Sequence, residues 1–187
     1  MTVSYLEIYN EELCDLLAPI GAESNSKLMV AEDKSKGGKG VHCHGLSEVQ
    51  VAGYDDVLKN LQEAQERRIV GETKMNKQSS RSHCLFTLSV KSKETTSDGM
   101  LMERTGKLHM CDLAGSECAK TAGTKNEDAS RERERKNINQ SLLTLGRVIS
   151  SLKEGKGDRI PYRDSKLTRL LQESLGGVNS HAICRCL

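Results

Sequence analysis

Hydrophobic and polar positions divide the chain into a legible series of elements. VSYLEIY, Val3 to Tyr9, is rich in β-branched and aromatic residues and predicts a strand, while Asn10 to Leu17 reads as a polar turn followed by a short helical stretch. Ala18 to Gly40, with Pro19, Gly21, Ser24, Ser26, Gly37 and Gly38, predicts a loop around a short apolar piece at Leu28 to Ala31. VHCHGLSEVQV, from Val41, predicts short extended pieces broken at Gly45. Leu58, Leu61, Gln65 and Ile69 form one stripe of a helix from about Asp55 to Val70. Cys84 to Val90 alternate, with Phe86, Leu88 and Val90 on one face, and Leu101 to Leu113 is a second strand; a turn at Thr95 to Gly99 makes the two a long antiparallel hairpin. Ala114 to Lys136 is polar and charged. Ile138, Leu142, Leu145, Ile149 and Leu152 then mark a helix from Asn137 to near Gly155. A short helix from Ser165 to Leu175, closed by Gly176-Gly177, precedes a last apolar strand at Ala182 to Leu187. Strands interleaved with helices predict an α/β layered fold with a mixed sheet.

Composition adjusts this picture in two respects. Hydrophobic residues make up 36% of the 187 and aromatics only 3%, with no Trp, a lean supply for a self-sufficient core. The net charge of +2 is too small to favour nucleic acid, so any charged partner has to be read from local clusters. Seven cysteines without a C-x-x-C pair, no signal peptide and no apolar run of membrane-spanning length predict a reduced intracellular protein with no membrane contact. His42-Cys43-His44 puts two imidazoles on one face of a strand, but no second ligand pair stands at zinc-finger spacing, and the three read as strand residues.

Two short stretches carry candidate chemistry. NKQSSRSHCLF, Asn76 to Phe86, gathers three hydroxyls, an arginine and a histidine just before a strand. The hydroxyls of Ser79 and Ser80 suit Mg²⁺ or phosphate oxygens because they bring no competing charge, and Arg81 offers a planar fork to a carboxylate; the plainer reading is a serine-rich turn capping the strand. LHMCDLAGSE, Leu108 to Glu117, ends a strand in Asp and continues D-x-x-G. That arrangement places a carboxylate, Asp112, near Mg²⁺ and a flexible amide, Gly115, near a terminal phosphate; a capping Asp at a strand end is the plainer alternative. Glu117 is the candidate partner of Arg81, and two phosphate-sensing segments latched by one ion pair form a switch.

These stretches resemble switch I (76–83) and switch II (112–117) of the kinesin motor domain. NINQSLLTLGRVISSL, Asn137 to Leu152, and IPYRDSKLTRLLQESLGG, Ile160 to Gly177, are similar to the family's microtubule-facing helices and the loop between them, so that the microtubule-facing region runs over about 118–177. SYLEIYNEELCDLL, Ser4 to Leu17, resembles the strand and helix after the nucleotide loop, and YNEELCDLL with INQSLLTLGRVI is closest to the bipolar mitotic class. The resemblance implies a P-loop NTPase-like α/β core, incomplete at both ends, from a microtubule-stimulated ATPase that uses ATP and Mg²⁺. It implies that Asn76, Ser79 and Ser80 line the γ-phosphate, with Ser80 on Mg²⁺ and Ser79 near the attacking water. Arg81 and Glu117 become the latch, Asp112 and Gly115 the switch II sensors, and His83 a packing or hydrogen-bonding residue. The implied setting is the cytoplasm and microtubule cytoskeleton, including the spindle, with self-association and coiled coil lying outside this chain.

Tubulin's acidic surface calls for basic residues on one solvent face. Arg163, Lys166 and Arg169 recur every third residue after Lys153, and Lys153 to Leu187 holds seven basic against four acidic residues; a solvated helix face shows the same pattern. RERERK, Arg131 to Lys136, reads as an alternating-charge helical extension. None of Gly38-Lys39, Gly106-Lys107 and Gly155-Lys156 completes the P-loop G-x-x-x-x-G-K-[ST], so the residues match the C-terminal half of a motor domain and are expected to lack ATPase activity alone. The alternatives are a non-catalytic microtubule-binding protein derived from half a motor, and a GTPase-type switch, against which the absence of N-K-x-D speaks.

Overall fold

A computed structural model describes residues 1–19, 28–35, 40–75, 81–115, 129–155 and 160–176. Strand β1 (Thr2–Tyr9) turns directly into β2 (Glu12–Asp15), pairing Tyr9 with Glu12 and Leu6 with Asp15. The predicted helical stretch within Asn10 to Leu17 is thus a strand. The two residues between the strands, Asn10 and Glu11, have φ of 52° and 61°, the left-handed pair of a type I′ turn whose twist matches a hairpin. That local geometry outweighs the helix propensity of the run EELCDLL.

The main sheet has the order β2-β1-β6-β7, with β6 spanning Ser82–Thr95 and β7 Leu101–Asp112. A two-residue strand β5 (Val49–Gln50) also pairs with β1, and β3 (Met29–Asp33) with β4 (Gly40–His44) makes a separate ribbon. Among the described residues every ladder is antiparallel. The predicted hairpin forms from Cys84↔Asp112 to Thr95↔Leu101; its turn is closed by the Gly99 N–H donating to the Thr96 carbonyl at 2.9 Å, with Gly99 at φ 76°.

Helix α1 (Tyr54–Met75) covers one face of the sheet and α2 (Ala129–Lys153), with α3 (Lys166–Leu170), covers the other. Under α1 the core joins Val3, Tyr5, Leu16, Leu17, Val51, Ala64, Cys84 and Phe86, with Tyr5 and Phe86 edge to face at 5.6 Å. Under α2 and α3 it joins Leu6, Ile8, Leu85, Leu145, Leu167, Leu170 and Leu171. This is the expected α/β architecture, a central sheet flanked by helices.

Both long helices bury a stripe rotated from the predicted one. In α1 the inward residues are Val57, Leu61, Ala64 and Arg68, leaving Leu58 and Ile69 exposed. In α2 they are Ile138, Ser141, Thr144, Leu145 and Val148, and Ile149 is exposed. RERERK does lie within α2. The helix predicted over Ser165 to Leu175 is interrupted: α3 stops at Leu170 and α4 (Gln172–Gly176) follows, preceded by a 3₁₀ turn at Tyr162–Asp164. The strand expected at Ala182 to Leu187 lies outside the described residues. No helix among the described residues is long and apolar enough to cross a membrane.

Candidate functional site

The ladder between β6 and β7 brings the two chemical stretches to one end of the hairpin. Asp112, last residue of β7, stands opposite Cys84, two positions after Ser82. Cys84 in turn stands opposite Glu7 of β1. Residues directly opposite one another share a face of a sheet, so Glu7, Cys84 and Asp112 form a transverse row under α1. Arg68 reaches down onto that row: Nε lies 3.7 Å from Glu7 Oε1, Nη1 lies 3.7 Å from Asp112 Oδ2, and Nη2 donates to Ser82 Oγ at 3.2 Å. Glu7 and Arg68 have side chains only 7% and 15% exposed, whereas that of Asp112 is 72% exposed. A buried pair therefore anchors a carboxylate that remains open to solvent. Burial pushes the Cys84 thiol up to about 11 and the Tyr5 phenol to about 12, so both are neutral within the row's surroundings.

The opposite face of the same strand end is held without charge. His83 is fully buried; its Nδ1 accepts from the Ala114 N–H at 3.1 Å and its Nε2 lies 2.6 Å from Ser141 Oγ on α2. Because a backbone N–H can only donate, Nδ1 carries no proton and Nε2 does, so Nε2–H donates to Ser141. Ser141 in turn donates its hydroxyl hydrogen bond to the Ile138 carbonyl at 2.7 Å. Burial lowers the imidazole pKa to about 4, and His83 is neutral at physiological pH. This is the packing and hydrogen-bonding role expected for it.

Of the other sequence-predicted residues, Arg81 is half-buried immediately before β6, and Gly115 is half-buried just after Ala114. Asn76, Ser79, Ser80 and Glu117, the residue expected to pair with Arg81, lie outside the described residues. Asp112 fits the Mg²⁺ role as far as its chemistry goes: it is an exposed, acceptor-only carboxylate at a strand end, next to the segment that carries Gly115. Among the described residues no group of three or more His, Cys, Asp or Glu is arranged to hold a metal ion by itself.

The basic residues divide. Lys153, at the end of α2, and Arg163 are exposed. Lys166 and Arg169 are turned into the fold: the Lys166 ammonium donates to the Glu11 carbonyl and its N–H to Glu11 Oε2 at 3.0 Å, while Arg169 donates to Glu32 Oε2 and Gln172 Oε1, both at 2.5 Å. The hydrogen bond from Arg169 holds the Glu32 carboxyl below its ordinary value. Arg163 also lies 3.7 Å from Glu32.

Three participants escaped the sequence reading, and two left a signal. Glu7 interrupts the inward series Val3-Tyr5 of an otherwise apolar strand face, which calls for a buried cation. Arg68 continues the spacing Val57-Leu61-Ala64 and so had to point inward. Ser141, between the apolar positions Ile138 and Leu142, gave none.

The family model of the kinesin motor domain matches residues 1–187. Kinesin-like protein Klp61F of Drosophila melanogaster is 51% identical over 177 residues, which is 95% of this chain and 16% of that protein. Kinesin-like protein KIN-5A of Arabidopsis thaliana is 47% identical over 185 residues, 95% of this chain and 17% of its own length. A solved structure described as a fast kinesin, with implications for ATPase mechanism and interactions with microtubules, superposes with a TM-score of 0.76 at 41% identity, over 92% of this chain and 45% of that one. The chain thus spans about a sixth of the curated relatives it matches.

Proposed function

The chain belongs to the kinesin motor domain family, and from that premise we propose that it forms the switch-bearing, track-facing part of a motor coupling Mg-ATP hydrolysis to movement on microtubules. The observation that carries this reading is the juxtaposition of Asp112 with the N-terminal end of β6, which joins two motifs about thirty residues apart at one edge of the sheet. When bound, Mg²⁺ neutralises phosphate charge and makes the terminal phosphoryl group a better electrophile.

The chain's own residues take the following parts. Ser80 and Asp112 are the residues that would hold the cation, Ser80 through a neutral hydroxyl and Asp112 through a carboxylate that Arg68 retains. Asn76 and the Gly115 amide donate toward the terminal phosphate, Ser79 orients the attacking water, and Arg81 closes on Glu117 to exclude bulk solvent. On the track side, Lys153 and Arg163 present charge to the acidic tubulin surface, and Lys166 and Arg169 hold α3 and the ribbon β3–β4 in the shape that surface meets. The protein therefore acts on the microtubule cytoskeleton of the cytoplasm, and the similarity to Klp61F and KIN-5A supports a place among the bipolar spindle motors.

ATP turnover of the full-length protein across a microtubule titration tests this. We expect stimulation by microtubules, and a loss of about a hundredfold or more in stimulated kcat for Asp112→Asn with microtubule affinity retained. Microtubule binding without turnover in the parent would instead identify a non-catalytic binder, and neither binding nor turnover would reject both readings.

A further inference from the structure

His83 joins three separate segments: its own strand β6, the backbone leaving β7 at Ala114, and helix α2 through Ser141. Both ring nitrogens are engaged, at 3.1 Å and 2.6 Å, and the Ser141 hydroxyl is engaged on both sides, accepting from the ring and donating to Ile138 at 2.7 Å. His83 and Ser141 are each 2% exposed, and Ala114 and Ile138 beside them are buried, so water is a poor replacement partner for either nitrogen. The same turn of α2 that brings Ser141 inward leaves Leu143 52% exposed, which makes α2 a body with one side on the imidazole and the other in solvent.

We propose that His83 is a positioning residue through which a displacement of α2 is transmitted to the Ala114–Gly115 backbone. Hydrogen bonds of this length weaken steeply with misalignment, so a shift of about an ångström in α2 must either break the Ser141 contact or carry the ring along. In this buried setting, breaking it leaves a polar group unpaired, and the ring follows. Its Nδ1 then moves the Ala114 amide, and Gly115 with it. The inference rests on the reading of Gly115 as a phosphate-facing amide and of α2 as track-facing. It adds the physical part by which one informs the other: a single two-armed imidazole acting as a stiff link.

The two arms can be cut separately. Asparagine places its carbonyl oxygen near the position of Nδ1, so His83→Asn keeps the Ala114 arm and loses the Ser141 arm. Glutamine places its amide nitrogen near Nε2, so His83→Gln does the reverse. Ser141→Ala cuts the Ser141 arm from the other side and leaves the ring in place. In the full-length protein each of the three is expected to lower microtubule-stimulated kcat by about tenfold or more, with the half-saturating microtubule concentration and the KM for ATP within about twofold of the parent. Because His83→Asn and Ser141→Ala remove the same contact, combining them should cost no more than the larger single loss. Parental kcat in all three variants, or losses that multiply in the double variant, would overturn the link.

A second measurement needs no turnover: hydrogen exchange at the Ala114 amide, followed by NMR in the parent and in Ser141→Ala. The link predicts exchange about tenfold or more faster in the variant, although the Ala114 amide is bonded to His83 and not to residue 141. An unchanged rate overturns the proposal whatever the kinetics show. If the parent itself turns over no ATP with microtubules, the motor reading fails, and the Ala114 exchange rate alone decides whether His83 ties α2 to that backbone.

Discussion

The two faces of the sheet converge on residues 112–115 by opposite chemistry. Under α1, Arg68 sits among Glu7, Asp112 and Ser82, with its charged contacts at 3.7 Å. Under α2, His83 holds Ala114 and Ser141 through neutral hydrogen bonds, the shorter of them 2.6 Å. Coulomb attraction falls off slowly with distance and depends little on angle, so the guanidinium can retain Asp112 while the carboxylate shifts or rotates. The imidazole bonds are short-ranged and directional, and they fix position. One face tethers; the other registers.

The largest effect that could break this comparison belongs to the charged side. Arg68→Met leaves the carboxylate of buried Glu7 without its cation and should destabilise the fold by about 3–5 kcal/mol in denaturant unfolding, whereas Arg68→Met combined with Glu7→Gln should recover most of that loss. A double variant as unstable as the single would mean that packing of the arginine stem, not charge, holds that face.

On the neutral side the expected effect is smaller and depends on pH. The folded-state pKa of His83 is about 4 against an ordinary value of 6.5, so between those values the unfolded chain binds a proton that the folded chain refuses. Stability from the neutral ring is therefore complete above about pH 6.5 and is lost as pH falls toward 4, by roughly 3 kcal/mol in all. Subtracting the unfolding profile of His83→Asn from that of the parent isolates this contribution from His109, which burial also shifts downward. A difference that stays flat over the window would show that the ring gains its proton without unfolding.

The smallest effect should come from the edge of the α2 face. Ser165 caps α3 by accepting from the Leu167 N–H at 3.2 Å, and Ser165→Ala should cost about 1 kcal/mol in the same assay. A loss several times larger would place the contact of Ser165 with Glu11 among the main supports of that face.

What the sequence disclosed and what it withheld follow from the range of the interactions. The long hairpin was legible because alternation and the Asp98-Gly99 turn are local, and its register is what brings Cys84 opposite Asp112. The buried stripes of α1 and α2 were misplaced because large apolar side chains such as Ile69 and Ile149 mark a stripe only when the partner surface has room for them. Here Ala64, Ser141 and Thr144 share the inward places with Val57, Leu61, Arg68, Ile138, Leu145 and Val148, so side-chain size did not mark the buried stripe. The β2 strand was missed because its evidence lay in two dihedral angles, those of Asn10 and Glu11. The uses of Lys166 and Arg169 were hidden for a different reason: their partners, Glu11 and Glu32, lie more than a hundred residues away in the chain.

The turn between β1 and β2 also constrains how this protein can vary. Glu11 must adopt a left-handed backbone, which glycine or asparagine would do with less strain, and must also carry a carboxylate long enough to accept from both Ser165 Oγ and the Lys166 N–H. Its neighbour Asn10 faces a related demand, since its side-chain oxygen accepts from Asn137 at 2.8 Å. Glycine at position 11 meets the first requirement and forfeits the second; glutamine keeps the reach but loses the charge; aspartate is shorter by a methylene. Each single replacement trades one defect for another, so a change at this hairpin is best accommodated together with a compensating change near residue 165.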